Sequence, residues 1–468
     1  MILPSDIQNE IVRRRDMREV YTFTIDPADA KDFDDAISFA VNEDDTYQVG
    51  IHIADVSFYV RPGTKIDDDA YKRGTSVYLV DRVLPMLPEE LCNDKCSLRP
   101  GEDKLCMSVI FTMDKQAHVL KYKICRTVIC SNARLNYDQA QQIILASENL
   151  EMSQKHGFET LTTRNRDVGK SEADAMQVLA ITTLNNLAQI LRAERIANGA
   201  LTIEQDEMRF RLDEHGHPTD IYFEQPNEAH HLIEEFMLLA NRTVATAVGS
   251  GRPFVYRVHD LPNRDKLDEI KAFKRKMGSR VSQQTIDLLT IRAQAKAVYS
   301  TYNIGHYGLA FSHYTHFTSP IRRYPDLMVH RLVEKYILTG KKESLTREEL
   351  EEKCEHCSAC EQEAAQAERD SVKLFQAMWM KDHIGEVLSG HISGVTDFGL
   401  FVQLDESRCE GLIHISKIGF PGETWMYDEK NYRLVCAENK ISYTLGDKVT
   451  VKVVQVDVNR SLIDFEFA

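Results

Sequence analysis

The sequence lacks the features of membrane, secreted and low-complexity proteins. No apolar run approaches the ~18 residues that a membrane span needs, and the first twenty residues contain no apolar core of a secretory signal. Twenty-two glycines and 13 prolines among 468 residues are too few for a collagen-like or low-complexity chain. Ten cysteines are too sparse for a disulfide framework and favour a reducing compartment. We therefore expect a soluble, cytoplasmic protein with no membrane partner.

The sequence also lacks an overall positive charge. It has 57 Lys and Arg against 72 Asp and Glu, a net charge of −15, which argues against a protein that coats nucleic acid through bulk charge. Residues 261–340 are an exception, with 13 basic against 6 acidic residues, a net charge of +7. This basic block indicates a local anion-binding surface, although Lys274, Arg275 and Lys276 also suit a solvated helix face.

The hydrophobic pattern predicts an α+β fold in two main parts. After a short N-terminal helix and linker (1–20), β-rich runs extend to about residue 130 and helical periodicity follows. The charged stretch 345–383 predicts one long helix. From residue 384 to 468, short alternating runs broken by glycines predict a five-stranded barrel. The predicted domains are thus a large catalytic domain of mixed sheet and helices (21–383) and a C-terminal OB-fold barrel (384–468).

The most acidic segment, TIDPADAKDFDDA at residues 24–36, is a candidate metal site. It contains five carboxylates within ten residues, flanked by apolar strand sequence: Asp26, Asp29, Asp32, Asp34 and Asp35. Hard divalent cations offset such repulsion, and a pair of Mg²⁺ ions suits phosphoryl displacement. The alternative is a solvated acidic turn, against which the neighbouring Ile25, Phe33 and Ile37 argue.

A second segment, HYTHFTSPIRRYPD at residues 313–326, is a candidate phosphate site. Ser319 and Pro320 predict the start of a helix, with Ser319 as the N-cap. Arg322 and Arg323 would then lie beside a helix N-terminus, where backbone N–H groups already favour an anion. His313 and His316 of this segment suit metal ligation, but loop histidines are more often solvated or hydrogen-bonded.

With these two segments, the chain resembles the RNB-domain exoribonucleases of the ribonuclease II and ribonuclease R family, most closely the bacterial ribonuclease R branch. The first segment is similar to the family's IDPxxAxDxDDA signature and the second to its HFTSPIRRYPDLMVHR segment. Further matches follow in order at residues 52–57, 74–78, 84–89, 96–100, 133–137 and 231–237. Members of this branch usually carry cold-shock-type OB domains before the catalytic signature, which starts at residue 26 here. A trimmed chain and a minimal homologue both stay open, and the difference affects RNA recruitment rather than chemistry.

The resemblance implies roles for individual residues. It assigns one or two Mg²⁺ ions to Asp26, Asp32, Asp34 and Asp35, which are also the catalytic carboxylates, while Asp29 falls at a variable position. It assigns the scissile phosphate to Arg322, with Arg323 as a further RNA contact. It assigns the 3′-terminal nucleotides to Tyr78, Tyr137 and one of Glu234 and Glu235. Composition alone favours core packing for both tyrosines.

The barrel resembles the OB-fold RNA-binding domain named after ribosomal protein S1. Phe398, Phe401 and His414 match its RNA-facing side chains, with Asp457 and Arg460 as weaker candidates. Exposed aromatics on a barrel suit single-stranded RNA. Without the resemblance, Phe398 and Phe401 are equally suited to the barrel core.

We therefore expect a monomeric, Mg²⁺-dependent enzyme that degrades single-stranded RNA processively from its 3′ end to nucleoside 5′-monophosphates, in RNA decay and quality control. Two alternatives stay open at this point. One is an RNA-binding protein that keeps the fold without catalysis, and the other is a metal-dependent endonuclease or DNA phosphodiesterase.

Overall fold

A computed structural model describes residues 4–155, 172–202, 206–278, 283–340 and 345–468. Five segments lie outside the described residues: 1–3 in the predicted linker, and 156–171, 203–205, 279–282 and 341–344 in the predicted catalytic domain. The described part is a mixed sheet covered by helices and followed by a closed barrel, so the predicted α+β class is confirmed. No helix in the described ranges has both the length and the hydropathy to cross a membrane.

A seven-stranded sheet is the centre of the first domain. Its order is β1-β8-β7-β4-β3-β2-β9, in which β1 pairs with β8 and β2 with β9 in parallel while the other pairs are antiparallel. The strands of this domain are β1 (Arg15–Asp16), β2 (Thr22–Asp26), β3 (Asp35–Val41), β4 (Tyr47–Ala54), β5 (Val77–Tyr78), β6 (Val83–Leu84), β7 (Asp103–Met113), β8 (Val119–Cys130), β9 (Ala133–Asn136), β10 (Glu207–Leu212), β11 (Pro218–Glu224), β12 (Tyr256–Val258) and β13 (Val298–Ser300). Strand β7 is buried along nearly its whole length, in keeping with its largely apolar sequence from Leu105 to Met113.

Helices pack on this sheet and complete one large core. That core joins Ile144, Leu184, Phe236 and Leu327 from four helices to the strand residues. The helices are α1 (Pro4–Arg13), α2 (Val56–Tyr59), α3 (Lys65–Arg73), α4 (Tyr137–Lys155), α5 (Glu172–Ala197), α6 (Glu228–Gly249), α7 (Arg264–Met277), α8 (Gln283–Arg292), α9 (Tyr324–Val333) and α10 (Arg347–Met380). The predicted long helix over 345–383 is confirmed: α10 covers 34 residues and starts at a capping box formed by Thr346 and Glu349.

Residues of the predicted N-terminal linker are integrated into the sheet domain. Arg14 is buried, and its guanidinium donates to Asp55 Oδ2 at 2.7 Å and to the Cys106 carbonyl at 3.1 Å. Met17 lies in the main core, and β1 pairs with β8. A second arginine, Arg126, lies 3.5 Å from Asp55. The N-terminal segment is therefore held by a buried ion pair as well as by backbone pairing.

A five-stranded closed barrel forms the C-terminal part, as predicted. Its order is β14-β15-β16-β21-β20, with a three-stranded sheet β17-β18-β19 beside it. The strands are β14 (Val387–Thr396), β15 (Gly399–Leu404), β16 (Glu410–His414), β17 (Trp425–Asp428), β18 (Arg433–Cys436), β19 (Ser442–Thr444), β20 (Lys448–Asp457) and β21 (Leu462–Phe467). Ala377 and Met380 at the end of α10 belong to the barrel core, so the helix is anchored in both domains.

Candidate active site

The aspartate loop connects two neighbouring strands of the central sheet, β2 and β3. Strand β2 ends at Asp26 and β3 begins at Asp35, so the intervening residues return the chain between antiparallel partners. Ser97 fixes the loop, because its hydroxyl accepts the Phe33 N–H at 3.0 Å and donates to the Lys31 carbonyl at 2.8 Å. Loop and strand ends together bring the predicted carboxylates to one region.

Burial makes this cluster of carboxylates electrostatically costly. Burial, with repulsion from Asp35 second, raises the pKa of Asp26 to about 8. Burial also raises the pKa of Asp35 to about 6, against the opposing effects of Arg322 and Arg323. The pKa values of Asp32 and Asp34 are raised for the same first reason. The folded chain therefore holds acidic groups that need a cation or protons to offset their charge.

The donor set fits a hard divalent cation. One buried oxygen of Asp26 and one of Asp34 have no hydrogen-bond partner, and carboxylate oxygens are the ligands that Mg²⁺ prefers. Within the described ranges, no three His, Cys, Asp or Glu side chains are already gathered closely enough to hold an ion. Ion binding would therefore require the aspartate side chains to adjust towards one another. By contrast, Asp29 is exposed on the same loop.

The second sequence segment meets the aspartate loop directly. The backbone N–H of Ile321 donates to Asp34 Oδ1 at 2.8 Å, although 287 positions separate the two residues in the chain. Arg322 Nε lies 3.6 Å from Asp34 Oδ2, and Arg322 Nη2 donates to Ser319 Oγ at 3.1 Å. The Arg322 side chain is still 41% exposed. A permanently charged fork is thus held beside the carboxylates with part of its surface open to a ligand.

The helix beyond this segment starts later than predicted. Ser319 is not its N-cap: α9 begins at Tyr324 with Arg323 as the N-cap residue. The reason is that the Asp326 carboxylate accepts both the Ser319 N–H and the Arg323 guanidinium, each at 2.8 Å, which stabilises a turn before the helix. Arg323 is also fixed through a backbone bridge to Thr75. Its side chain is only 19% exposed, so less of it than of Arg322 is available to a ligand.

Tyr78 lies on the short β5–β6 hairpin and is tied to the long helix. Its backbone N–H donates to Glu368 Oε1 at 3.0 Å, and the N–H of Val80 donates to Ser371 Oγ at 3.1 Å. Tyr78 as a whole is 41% exposed and does not belong to the core. Burial raises the pKa of Asp32, and the Tyr78 hydroxyl opposes that rise. Tyr78 therefore lies beside the carboxylates with part of its ring free.

Tyr137 is the first residue of α4 and directly follows β9, which pairs in parallel with β2. Because Asn136 pairs with Asp26 in that register, Tyr137 is placed next to the aspartate cluster. Burial, followed by repulsion from Asp35 and Asp26, raises the pKa of the Tyr137 hydroxyl. One face of the Tyr137 ring is stacked on His230, with centroids 3.7 Å apart and planes 9° apart. Tyr137 is partly buried, but unlike an aromatic of the core it lies next to the aspartate cluster.

The two candidate glutamates on α6 have different surroundings. Glu235 is buried, and its carboxylate accepts hydrogen bonds from Arg195 Nε at 3.0 Å and from Arg195 Nη2 at 2.5 Å. Glu234 keeps 46% of its side chain exposed and contacts Arg195 at 3.2 Å. Glu234 also lies four positions after His230, and thus on the same helix face. These surroundings favour Glu234 over Glu235 as a group that contacts a ligand.

The three predicted barrel residues lie together outside the barrel core. Phe398 is 46% exposed and packs edge-on against Phe401, with ring centroids 6.0 Å apart. Neither belongs to the hydrophobic core of the barrel. His414 is exposed and lies opposite Gly399 in the β15–β16 register. The weaker candidates Asp457 and Arg460 flank a short turn after β20, where the Asp457 side chain accepts the Arg460 N–H.

Sequence reasoning missed two residues that position the predicted tyrosines. His230 stacks on Tyr137, and Glu368 holds the backbone of Tyr78. The Asn227 to His230 spacing is a helix-start signal and would have located the histidine at the first turn of α6. Nothing in the sequence near Glu368 distinguishes it from the other acidic residues of α10, so its contact required the structure.

Comparison with known proteins agrees with this geometry. A family model described as the RNB domain matches residues 14–339, and one described as the S1 RNA binding domain matches residues 381–467. Ribonuclease R of Aquifex aeolicus is 38% identical, over 99% of this chain and 66% of that protein. Ribonuclease R 2 of Lactococcus lactis is 34% identical, over 99% of this chain and 70% of that protein. Ribonuclease R of Escherichia coli is 34% identical, and the chain spans 57% of its length.

Solved structures give the same result. RNase R of Mycoplasma genitalium, in a complex with ribose-methylated single-stranded RNA, has a TM-score of 0.86 and 26% identity, covering 100% of this chain and 74% of that one. The yeast pseudonuclease Ssd1 has a TM-score of 0.69 and 20% identity over 92% of this chain and 53% of that one, which shows a shared fold only. Because the RNB model covers residues 14–339, more than two thirds of the sequence, and the S1 model covers residues 381–467, this chain belongs to the RNB-domain family of ribonuclease R.

Proposed function

We propose that the chain hydrolyses single-stranded RNA from the 3′ end, in a Mg²⁺-dependent and processive reaction that releases nucleoside 5′-monophosphates. The observation that carries this proposal is the contact between the two distant segments: Asp34 accepts the Ile321 N–H at 2.8 Å beside the Arg322 side chain. This contact joins a cluster of partly unpaired carboxylates to a phosphate-binding group. Such a combination suits phosphodiester cleavage.

Asp26, Asp32, Asp34 and Asp35 would hold one or two Mg²⁺ ions. When bound, the ions supply an activated water and stabilise charge on the phosphate oxygens. The protein's own part is orientation: Arg322 holds the scissile phosphate through its guanidinium, and Asp34 keeps Arg322 and the 319–323 turn in place. Because the arginine is already fixed by Ser319 and Asp34, little reorganisation is needed as charge develops on the phosphate.

Tyr78, Tyr137 and Glu234 would hold the 3′-terminal nucleotides. The support is positional: Tyr78 is close enough to affect Asp32, Tyr137 is next to Asp26 and Asp35, and Glu234 is exposed on the helix face of His230. Tyrosine stacking gives a grip that tolerates any base. An end-binding site beside the carboxylates favours exonucleolytic over internal cleavage. We keep Arg323 as a secondary RNA contact, because its pairing with Asp326 occupies most of its charge.

The barrel would bind RNA upstream of the site through Phe398, Phe401 and His414. All three lie outside the hydrophobic core of the barrel, and Phe398 and His414 are exposed, which supports this role. We also propose a cytoplasmic, monomeric enzyme acting in RNA decay and quality control. The thiols support the compartment, because all ten cysteines are free and most are buried.

The experiment uses one RNA labelled at its 5′ end. With Mg²⁺, the label should move through a ladder of products that shorten only from the 3′ end, and EDTA should stop the reaction. Asp34→Asn should abolish hydrolysis while RNA binding persists, whereas Asp29→Asn, on the exposed part of the same loop, should keep activity.

Other outcomes would contradict the proposal. Internal fragments would indicate an endonuclease, and parallel cleavage of a DNA strand would indicate a general phosphodiesterase. Unchanged RNA in every reaction would indicate a non-catalytic binder. The four buried or half-buried aspartates weigh against a non-catalytic binder. Their burial and mutual repulsion lower the stability of the fold, which a protein without a use for them would not need to retain.

A further inference from the structure

We propose that His230 is a positioning residue for the 3′-terminal nucleotide, acting through the ring of Tyr137. This inference rests on the proposed function, because it assigns Tyr137 to the RNA end. The imidazole and phenol rings are stacked at 3.7 Å with an interplanar angle of 9°. Such a parallel contact covers one face of Tyr137, so a nucleotide base has only the opposite face on which to stack.

Contacts with Asn227, at the start of α6, fix the imidazole of His230. His230 Nδ1 lies 2.8 Å from Asn227 Oδ1 and 3.3 Å from the Asn227 N–H, while Asn227 Oδ1 also accepts the His230 N–H at 3.2 Å. These contacts form the capping box of the helix. The His230 ring is therefore held in one orientation before any RNA arrives.

Tyr137 also belongs to a rigid junction. The Asn136 side chain accepts the Gln139 N–H at 2.8 Å, and the Gln139 side chain accepts the Asn136 N–H at 2.9 Å. The start of α6 is tied to the same helix, because the Ala229 N–H donates to Gln141 at 3.1 Å. Two helix starts thus face each other, each presenting one ring to the other. The two rings form one stacked pair. Contact with His230 fixes the plane of the Tyr137 ring, on whose free face a base would stack.

The stacking contact sets the size of the effect. An aromatic pair of this kind changes an equilibrium by about 2- to 12-fold. If His230 acts through Tyr137, its removal should weaken RNA-end binding by that factor, and the loss should appear in KM more than in kcat. A histidine that only caps the helix would instead lower stability without a specific effect on the RNA end.

The test is a double-mutant cycle on binding and turnover of a 5′-labelled tetranucleotide RNA, a length chosen to keep the barrel contribution small. His230→Ala should raise KM by about 2- to 12-fold in the wild-type background and have no further effect in Tyr137→Ala. His230→Phe should restore most of the affinity, since it keeps a ring without the Nδ1 contact. His383→Ala, which removes the histidine stacked on Trp379 at 3.8 Å, is the matched control and should leave KM unchanged.

The outcomes separate the inference from the proposed function. If Tyr137→Ala raises KM but His230→Ala does not, or if the two effects simply add, the inference is overturned while the 3′-end assignment stands. If wild-type protein does not shorten the RNA at all, the proposed function fails first. Circular dichroism and thermal unfolding of each variant check folding, and a KM increase in His230→Ala that His230→Phe fails to reverse also overturns the inference.

Discussion

Replacing Asp26 by Asn should stabilise the metal-free protein in a pH-dependent way. In the fold, burial and Asp35 raise the pKa of Asp26 from 3.8 to about 8. The native state therefore retains a proton that the unfolded chain releases, so stability is lost as the pH rises from about 4 to about 8. One pKa unit corresponds to about 1.4 kcal/mol. At pH 7 the ionised Asp26 carboxyl should therefore lower the free energy of unfolding by about 2–4 kcal/mol. This is less than the full shift implies, because the repulsion is shared with Asp35.

The assay is thermal unfolding in EDTA between pH 5 and pH 8. Asp26→Asn should unfold about 3–6 °C above the wild type near pH 7, and the difference should shrink towards pH 5. Added Mg²⁺ should raise the unfolding temperature of the wild type, because it binds the native state. The same addition should raise that of Asp26→Asn much less. Asp29→Asn, at an exposed position, is the control and should follow the wild type in both conditions.

Two results would refute this reasoning. Equal unfolding temperatures for Asp26→Asn and the wild type across the pH range would show that Asp26 is not held in a costly environment. An equal response of both proteins to Mg²⁺ would show that Asp26 does not bind the ion.

Three further predictions concern other parts of the molecule. Arg14→Met should destabilise the protein by about 3 kcal/mol, the low end for a broken buried pair, because Asp55 loses its 2.7 Å partner and keeps only Arg126 at 3.5 Å. Thermal unfolding checks this, and Arg15→Met at an exposed position should have little effect. Glu235→Gln should lower the unfolding temperature through loss of the buried Arg195 ion pair, whereas Glu234→Gln should leave stability unchanged and raise KM; the reverse pattern would make Glu235 the clamp. Phe398→Ala should weaken binding of a long single-stranded RNA by about 1–3 kcal/mol, measured by filter binding with catalytically inactive protein, and Phe420→Ala, another exposed aromatic of the barrel, should not.

Local patterns in the sequence predicted the fold class well. The α10 helix was predicted from the long charged stretch at 345–383, and the barrel from short runs broken by glycine. The start of α9 did not follow from local pattern. A serine before a proline is a common helix start, but here Asp326 accepts from both Ser319 and Arg323 and favours a turn. A contact between side chain and backbone thus decided between two locally reasonable conformations.

The sequence named residues of the candidate site but none of the contacts between them. Asp34 and Arg322 were both named from the sequence, yet the hydrogen bond from Ile321 to Asp34 joins positions that only the tertiary fold brings together. The choice between Glu234 and Glu235 was open in the sequence, because adjacent glutamates differ only in helix face. Both contact Arg195, and it is burial that differs, since Glu235 is buried while Glu234 stays largely exposed. The stacking of His230 on Tyr137 is likewise a property of two helices that meet in space.

The single helix between the two domains constrains how this chain can change in length. Glu368 on α10 holds the Tyr78 backbone, and Met380, twelve residues later, lies in the barrel core. Since each residue turns a helix by about 100°, inserting one residue between them would swing the barrel to another side of the catalytic domain. Inserting four residues would nearly restore its direction while moving it about 6 Å along the axis. Lengths in this stretch should therefore vary in whole helical turns, unlike lengths in surface loops.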